Sequence, residues 1–147
     1  MPYLDKIELD GVLYDIKPSL TQQIKSILGV KDLLWENNNP DTAWASTTIP
    51  LDLSGYSEII IDFEGNTTTS ISIMMESITM PVPMERTAIY THGGGAWWGY
   101  RWITITSTSV KIEGGNLVTS YNTSTSSANN AVCVPYRIWG WNPPHLS

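Results

Sequence analysis

Residues 91–102, Thr-His-Gly-Gly-Gly-Ala-Trp-Trp-Gly-Tyr-Arg-Trp, hold the groups in this chain whose spacing most resembles chemistry. His92-Gly93-Gly94-Gly95 has the form of the segment whose backbone amides line an oxyanion hole in lipases and esterases. Such an enzyme also needs a serine nucleophile on a strand-to-helix elbow, usually inside Gly-x-Ser-x-Gly. The nearest stretch, Gly55-Tyr56-Ser57-Glu58-Ile59, lacks the closing glycine and leads into a strand pattern. With His92 spent in a glycine turn, the other histidine is His145, close to the C-terminal end. These residues therefore predict no catalytic site, and the three glycines read as a hairpin tip that tolerates positive φ.

The aromatic residues that follow carry a different chemistry. Trp97, Trp98, Tyr100 and Trp102 crowd into six positions. In a strand beginning near Trp98, Ile103 and Ile105 face a core, while Trp98, Tyr100, Trp102, Thr104 and Thr106 point the other way. An outward row of this kind can stack on sugar rings. It can equally be covered by a neighbouring subunit or by the N-terminal segment, since Trp and Tyr are the residues most enriched in protein interfaces. Both uses are open at this point.

Metal and acid–base chemistry find little to work with. Two distant histidines and the single Cys133 offer no zinc-type spacing, and Asp41, Asp52 and Asp62 sit in no calcium-loop signature. Asp62 and Glu64 lie two apart on one strand and are expected to be solvated charges on its outer face. Cys133, inside Ala-Val-Cys-Val-Pro, reads as a buried small hydrophobe. No metal and no cofactor are expected.

Composition narrows the partners. The net charge is -6, and Arg86, Arg101 and Arg137 are isolated, so nothing forms the basic stripe that nucleic acid requires. One cysteine cannot form an internal disulfide, which leaves packing or oligomerisation to supply stability. The opening Met-Pro-Tyr-Leu-Asp-Lys-Ile-Glu has neither a basic n-region nor an apolar h-region, so no secretory leader is expected. No window has the run of about 20 apolar residues that a membrane span needs, so no membrane insertion is expected.

The elements that must position these groups are mostly strands. Lys6–Leu9 and Val12–Ile16 flank Asp10-Gly11, a strong hairpin signal. Residues 18–29 read as a helix of about three turns, with Ser19-x-x-Gln22 as a capping box, Gly29 at its C-cap, and Leu20, Ile24, Ile27 and Leu28 on one apolar stripe. A helix so short must pack on something, and this stripe is the candidate for self-association. Beyond Lys31 the texture becomes short β-rich runs broken by Asn, Gly, Pro, Ser and Thr. Candidate strands are Thr48–Leu53, Ser57–Glu64, Ser70–Glu76, Arg86–Thr91, Trp98–Ser107, Ser109–Glu113 and Ala131–Trp139. Period-two alternation in Ile59-Ile60-Ile61-Asp62-Phe63, with no βαβ pattern, predicts a mainly β chain. The expected fold is an antiparallel β-sandwich or jelly roll preceded by an N-terminal hairpin and short helix. The expected division is 1–30 for attachment and oligomerisation, 31–141 for the sandwich head, and 142–147 as a tail.

Several stretches resemble those of a known group. Val134-Pro135-Tyr136-Arg137-Ile138-Trp139-Gly140 resembles the ending of many small phage and prophage virion proteins, where a final strand of this form closes a β-sandwich. Leu33-Leu34-Trp35-Glu36-Asn37 is similar to the opening of that domain, and Leu53-Ser54-Gly55-Tyr56-Ser57-Glu58-Ile59-Ile60-Ile61 to one of its strands. Ile7 to Lys17 resembles the short leader of phage appendage proteins. The extension from Trp141 to Ser147 departs from the pattern. The resemblance implies a non-enzymatic virion component: a surface fibre or receptor-binding tip that displays its head for host-surface attachment. A capsid head fibre or decoration protein, and a free carbohydrate-binding module, are the alternatives. It further implies a homotrimer, joined to other virion proteins through residues 1–30, made in the bacterial cytoplasm and located in the virion, with a host-surface glycan as candidate ligand. No receptor-contacting residue carries over.

Overall fold

A computed structural model describes residues 6–9, 11–15, 24, 27–64, 76–92, 98–118 and 126–143 of the chain. Strands β1 (Lys6–Leu9) and β2 (Val12–Asp15) form a separate antiparallel pair with Leu9 opposite Val12. Gly11, just before β2, has the positive φ of 77° that the expected turn demands, and Asp10 lies outside the described residues. Ile24, Ile27 and Leu28 have helical backbone and Gly29 ends the run at φ 63°, as a glycine C-cap should. Leu20 and the capping box lie outside the described residues.

The head is a sandwich of two antiparallel sheets. The first contains β4 (Thr47–Pro50), β7 (Met84–His92), β8 (Trp98–Ile105), β9 (Ser109–Ile112), β10 (Asn116–Val118) and β11 (Ser126–Ala128). β8 is its spine: β7 pairs along one edge, while β10 and β9 share the other edge end to end, opposite Trp98–Tyr100 and Ile103–Ile105 respectively. The second sheet has the order β3 (Asp32–Glu36), β12 (Val134–Trp141), β5 (Glu58–Glu64), β6 (Glu76–Pro81). The closing strand β12 is therefore interior, hydrogen-bonded on both edges.

Alternation fills the space between the sheets. Ile59, Ile61 and Phe63 of β5, Met80 of β6 and Ile138 of β12 meet Ile49, Ile103, Ile105, Val110 and Ile112 from the other sheet, all buried. Each such side chain contributes about 1.5–3 kcal/mol by leaving water, which is what holds a head without disulfides together. Gly140 marks a point of close approach. A Cβ there would stand 2.6 Å from the ring of Tyr56, whose hydroxyl donates to Asp32 Oδ2 at 2.8 Å. The glycine that ends the Val-Pro-Tyr-Arg-Ile-Trp-Gly stretch thus lets an aromatic ring lie flat on β12.

Three expectations need correction. Asp62 is not a solvated charge: only 8% of it is exposed, and it accepts hydrogen bonds from Trp139 Nε1 (2.7 Å) and Ser77 Oγ (2.6 Å). The cause is β12, which places Trp139 opposite Ile60 so that its indole covers the outer face of β5. The side chain of Glu64 lies outside the described residues. The sixth strand runs from Glu76 to Pro81 instead of ending at Glu76, and residues 70–75 lie outside the described set. Asp32–Glu36, Asn116–Val118 and Ser126–Ala128 are additional strands, too short or too polar to announce themselves by alternation.

Candidate recognition face

β8 alternates strictly between half-buried and buried positions from Trp98 to Ile105. Gly99, Arg101, Ile103 and Ile105 point inward; Trp98, Tyr100, Trp102 and Thr104 stand on the outer face, on the side expected for them. Trp97 lies outside the described residues, as do the three glycines before it. The register of β7 then adds residues that the sequence did not single out. Tyr90 is opposite Tyr100 and Ala88 opposite Trp102, so both join the outer face.

The rings form a continuous row. Tyr90 and Tyr100 have centroids 5.2 Å apart at an interplanar angle of 36°, and Tyr100 meets Trp102 edge-on at 6.3 Å and 88°. The Tyr100 hydroxyl donates to Ser126 Oγ at 3.2 Å, tying the row to β11. Tyr90 is 55% exposed, which makes its ring the most open aromatic surface among the described residues of this face. Arg86 closes the other end. Its guanidinium carbon lies 4.1 Å from the Trp102 centroid, a cation–π contact, while Nε and Nη2 each donate to Glu113 at 2.9 Å. Lys111 Nζ approaches Glu113 Oε1 at 3.7 Å. The Arg86 hydrogen bonds hold the Glu113 carboxyl below its ordinary value, and Glu113 in turn raises Arg86. Near neutral pH the pair is fully ionised and presents both donors and acceptors.

Beneath this face lies the least expected feature, Arg101, which is completely buried. Its guanidinium meets no carboxylate. It donates instead to five backbone carbonyls: Nε to Val132 (3.1 Å) and Cys133 (2.7 Å), Nη1 to Trp44 and Glu113 (both 2.9 Å), and Nη2 to Asn130 (2.8 Å). These carbonyls belong to segments that are not in regular pairing: the approach to β4, the break between β9 and β10, and the loop before β12. Arg101 is the common partner that satisfies them. Burial lowers its pKa to about 10, so the group stays cationic at neutral pH. The break itself depends on Gly115, where a Cβ would fall 2.3 Å from the carbonyl oxygen of Asn129. Next to this site Cys133 is buried, with its Sγ 2.8 Å from Thr91 Oγ1, and burial pushes the thiol pKa up. Alternation alone puts Arg101 on the face of Ile103 and Ile105, so the signal for its burial was present in the sequence.

A second surface involves the candidate oligomerisation residues. Ile24 is half-buried, while Ile27 and Leu28 are 74% and 65% exposed, and Leu33, on the edge strand β3, is 48% exposed. Leu33 stands opposite Trp139, on the outer face of the second sheet. Among the described residues, no three His, Cys, Asp or Glu side chains gather where they could hold a metal ion, and no helix is long and apolar enough to cross a membrane. His145 and the residues of the expected glycine turn lie outside the described set. Compared with protein-family models, curated proteins and solved structures, the chain matches none of them.

Proposed function

We propose that this chain is a non-enzymatic structural component of a phage virion, a surface fibre or receptor-binding tip whose sandwich head attaches to the host surface. The observation that carries the reading is where the large exposed apolar side chains lie. Among the described residues they are Ile27, Leu28 and Leu33, close together in sequence, and Tyr90 on β7. The first group suits a joining surface, where residues 1–30 bring chains together as a homotrimer and hold other virion proteins. The second suits a recognition surface on the outer face of β7 and β8. The resemblance of Val134–Gly140 and of Ile7–Lys17 to virion proteins supports the same assignment.

The test is antibody labelling of phage particles, read by electron microscopy. Labelling at the tail tip is the expected result. Labelling over the capsid turns the assignment to a head fibre or decoration protein. Unlabelled particles, with the chain free in the lysate, refute the virion reading and leave a free carbohydrate-binding module.

A further inference from the structure

We infer that the outer face of β7 and β8 binds a neutral oligosaccharide, with Tyr90 and Tyr100 as its stacking ledge and the Arg86–Glu113 pair as its hydrogen-bonding end. The inference rests on the reading of this face as a recognition surface and adds the residues and the ligand class.

The indole of Trp102 is not the platform, since Arg86 already covers one of its faces and the edge of Tyr100 meets it. The open ring surface is that of Tyr90, with Tyr100 tilted beside it. Along the outer face of β7, the one residue between Tyr90 and Arg86 is Ala88, whose methyl leaves a low floor. From Tyr90 the row runs to Tyr100 (5.2 Å), Trp102 (6.3 Å) and the Arg86 guanidinium (4.1 Å), a length that suits more than one pyranose ring. At its far end the bidentate pair uses Nε and Nη2 of Arg86, so Nη1 keeps its two donors, and Glu113 Oε2 keeps a lone pair for a hydroxyl while Oε1 is shared with Lys111. Aromatic rings for C–H faces, followed by a planar donor–acceptor pair for hydroxyls, match a sugar chain in order and in chemistry.

Charge selects neutral over anionic glycans. Arg86 and Lys111 share the Glu113 carboxylate, and the chain as a whole carries a net charge of -6, which repels polyanions. Among the described residues the aliphatic side chains on this face are the small ones of Ala88, Val118 and Ala128, which serve a protein partner poorly. Its rim is Thr104, Asn116 and Ser126, all polar.

The experiment is calorimetric titration of the full chain with hexasaccharides of glucose, mannose, galactose and N-acetylglucosamine, with heparin hexasaccharide as the anionic comparator. Binding to at least one neutral probe is expected, and loss of one stacking ring in Tyr90→Ala should weaken it about tenfold. Tyr90→Phe should bind as wild type, because the ring is kept. Arg86→Lys should weaken binding because a point charge cannot reproduce the fork. Thermal unfolding of Tyr90→Ala should stay close to wild type, since the residue is half exposed, which separates lost contact from lost fold. No binding to any neutral probe at millimolar concentration overturns the inference. So does tighter binding of heparin, or unchanged affinity in Tyr90→Ala. Labelled particles with a chain that binds no sugar would sink this inference alone. A sugar-binding chain absent from particles would sink the virion reading alone.

Discussion

Replacing Arg101 by methionine is the most direct test of how the recognition face is held in place. The substitution keeps much of the volume and removes the guanidinium from the five carbonyls it serves. The oxygen of Asn130 keeps a second partner, the Trp44 amide at 2.9 Å, and Val132 and Cys133 share one N–H. Four carbonyl groups, those of Val132, Cys133, Trp44 and Glu113, then lose this donor away from water, and each costs about 1–3 kcal/mol. The expected loss is roughly 4–12 kcal/mol, comparable with the 5–15 kcal/mol that holds a typical domain together. Replacing a buried ion pair with apolar residues can be neutral because both charges leave. Here the acceptors are backbone and cannot leave, so methionine strands them. Urea unfolding followed by tryptophan fluorescence should show a lower midpoint at unchanged slope, and the melting temperature should fall by about 10 °C or more at this chain length. Arg101→Lys should fall between methionine and wild type, since one ammonium offers three donors from a single point. A methionine variant within about 1 kcal/mol of wild type would refute the argument that Arg101 organises these loops.

Three further outcomes follow from the same contacts. Burial raises the Cys133 thiol above its ordinary value, so the unfolded chain releases that proton first and stability should decline as pH rises past about 9. Urea midpoints between pH 7 and 10 check this, and Cys133→Ala should lose that share of the slope. Gly140→Ala should destabilise by about 1–3 kcal/mol, because its methyl must displace the Tyr56 ring that stands 2.6 Å away. A melting curve that matches wild type would mean that the ring moves freely. The double change Ile27→Ser with Leu28→Ser should shift sedimentation from trimer to monomer while leaving the head folded, as both side chains are mostly exposed in the single chain. A wild-type chain that sediments as a monomer at micromolar concentration removes the trimer from the proposed function.

The alternation of Ile59, Ile61 and Phe63, and that of Ile103 and Ile105, is a local property, and it placed these side chains in the core of a β-sandwich before any coordinate was known. The same holds for the outward side of Trp98, Tyr100 and Trp102, because side-chain direction in a strand depends only on parity. Register does not. Nothing in residues 84–92 says that Tyr90 lies opposite Tyr100, or that Arg86 reaches Trp102 and Glu113, since strand pairing is decided by packing between segments distant in sequence. Asp62 was misjudged for that reason: its burial comes from Trp139, 77 residues away along the chain. Arg101 combines the two cases. Parity assigns it inward, but only the tertiary structure gathers five carbonyls around it and makes a buried cation tolerable.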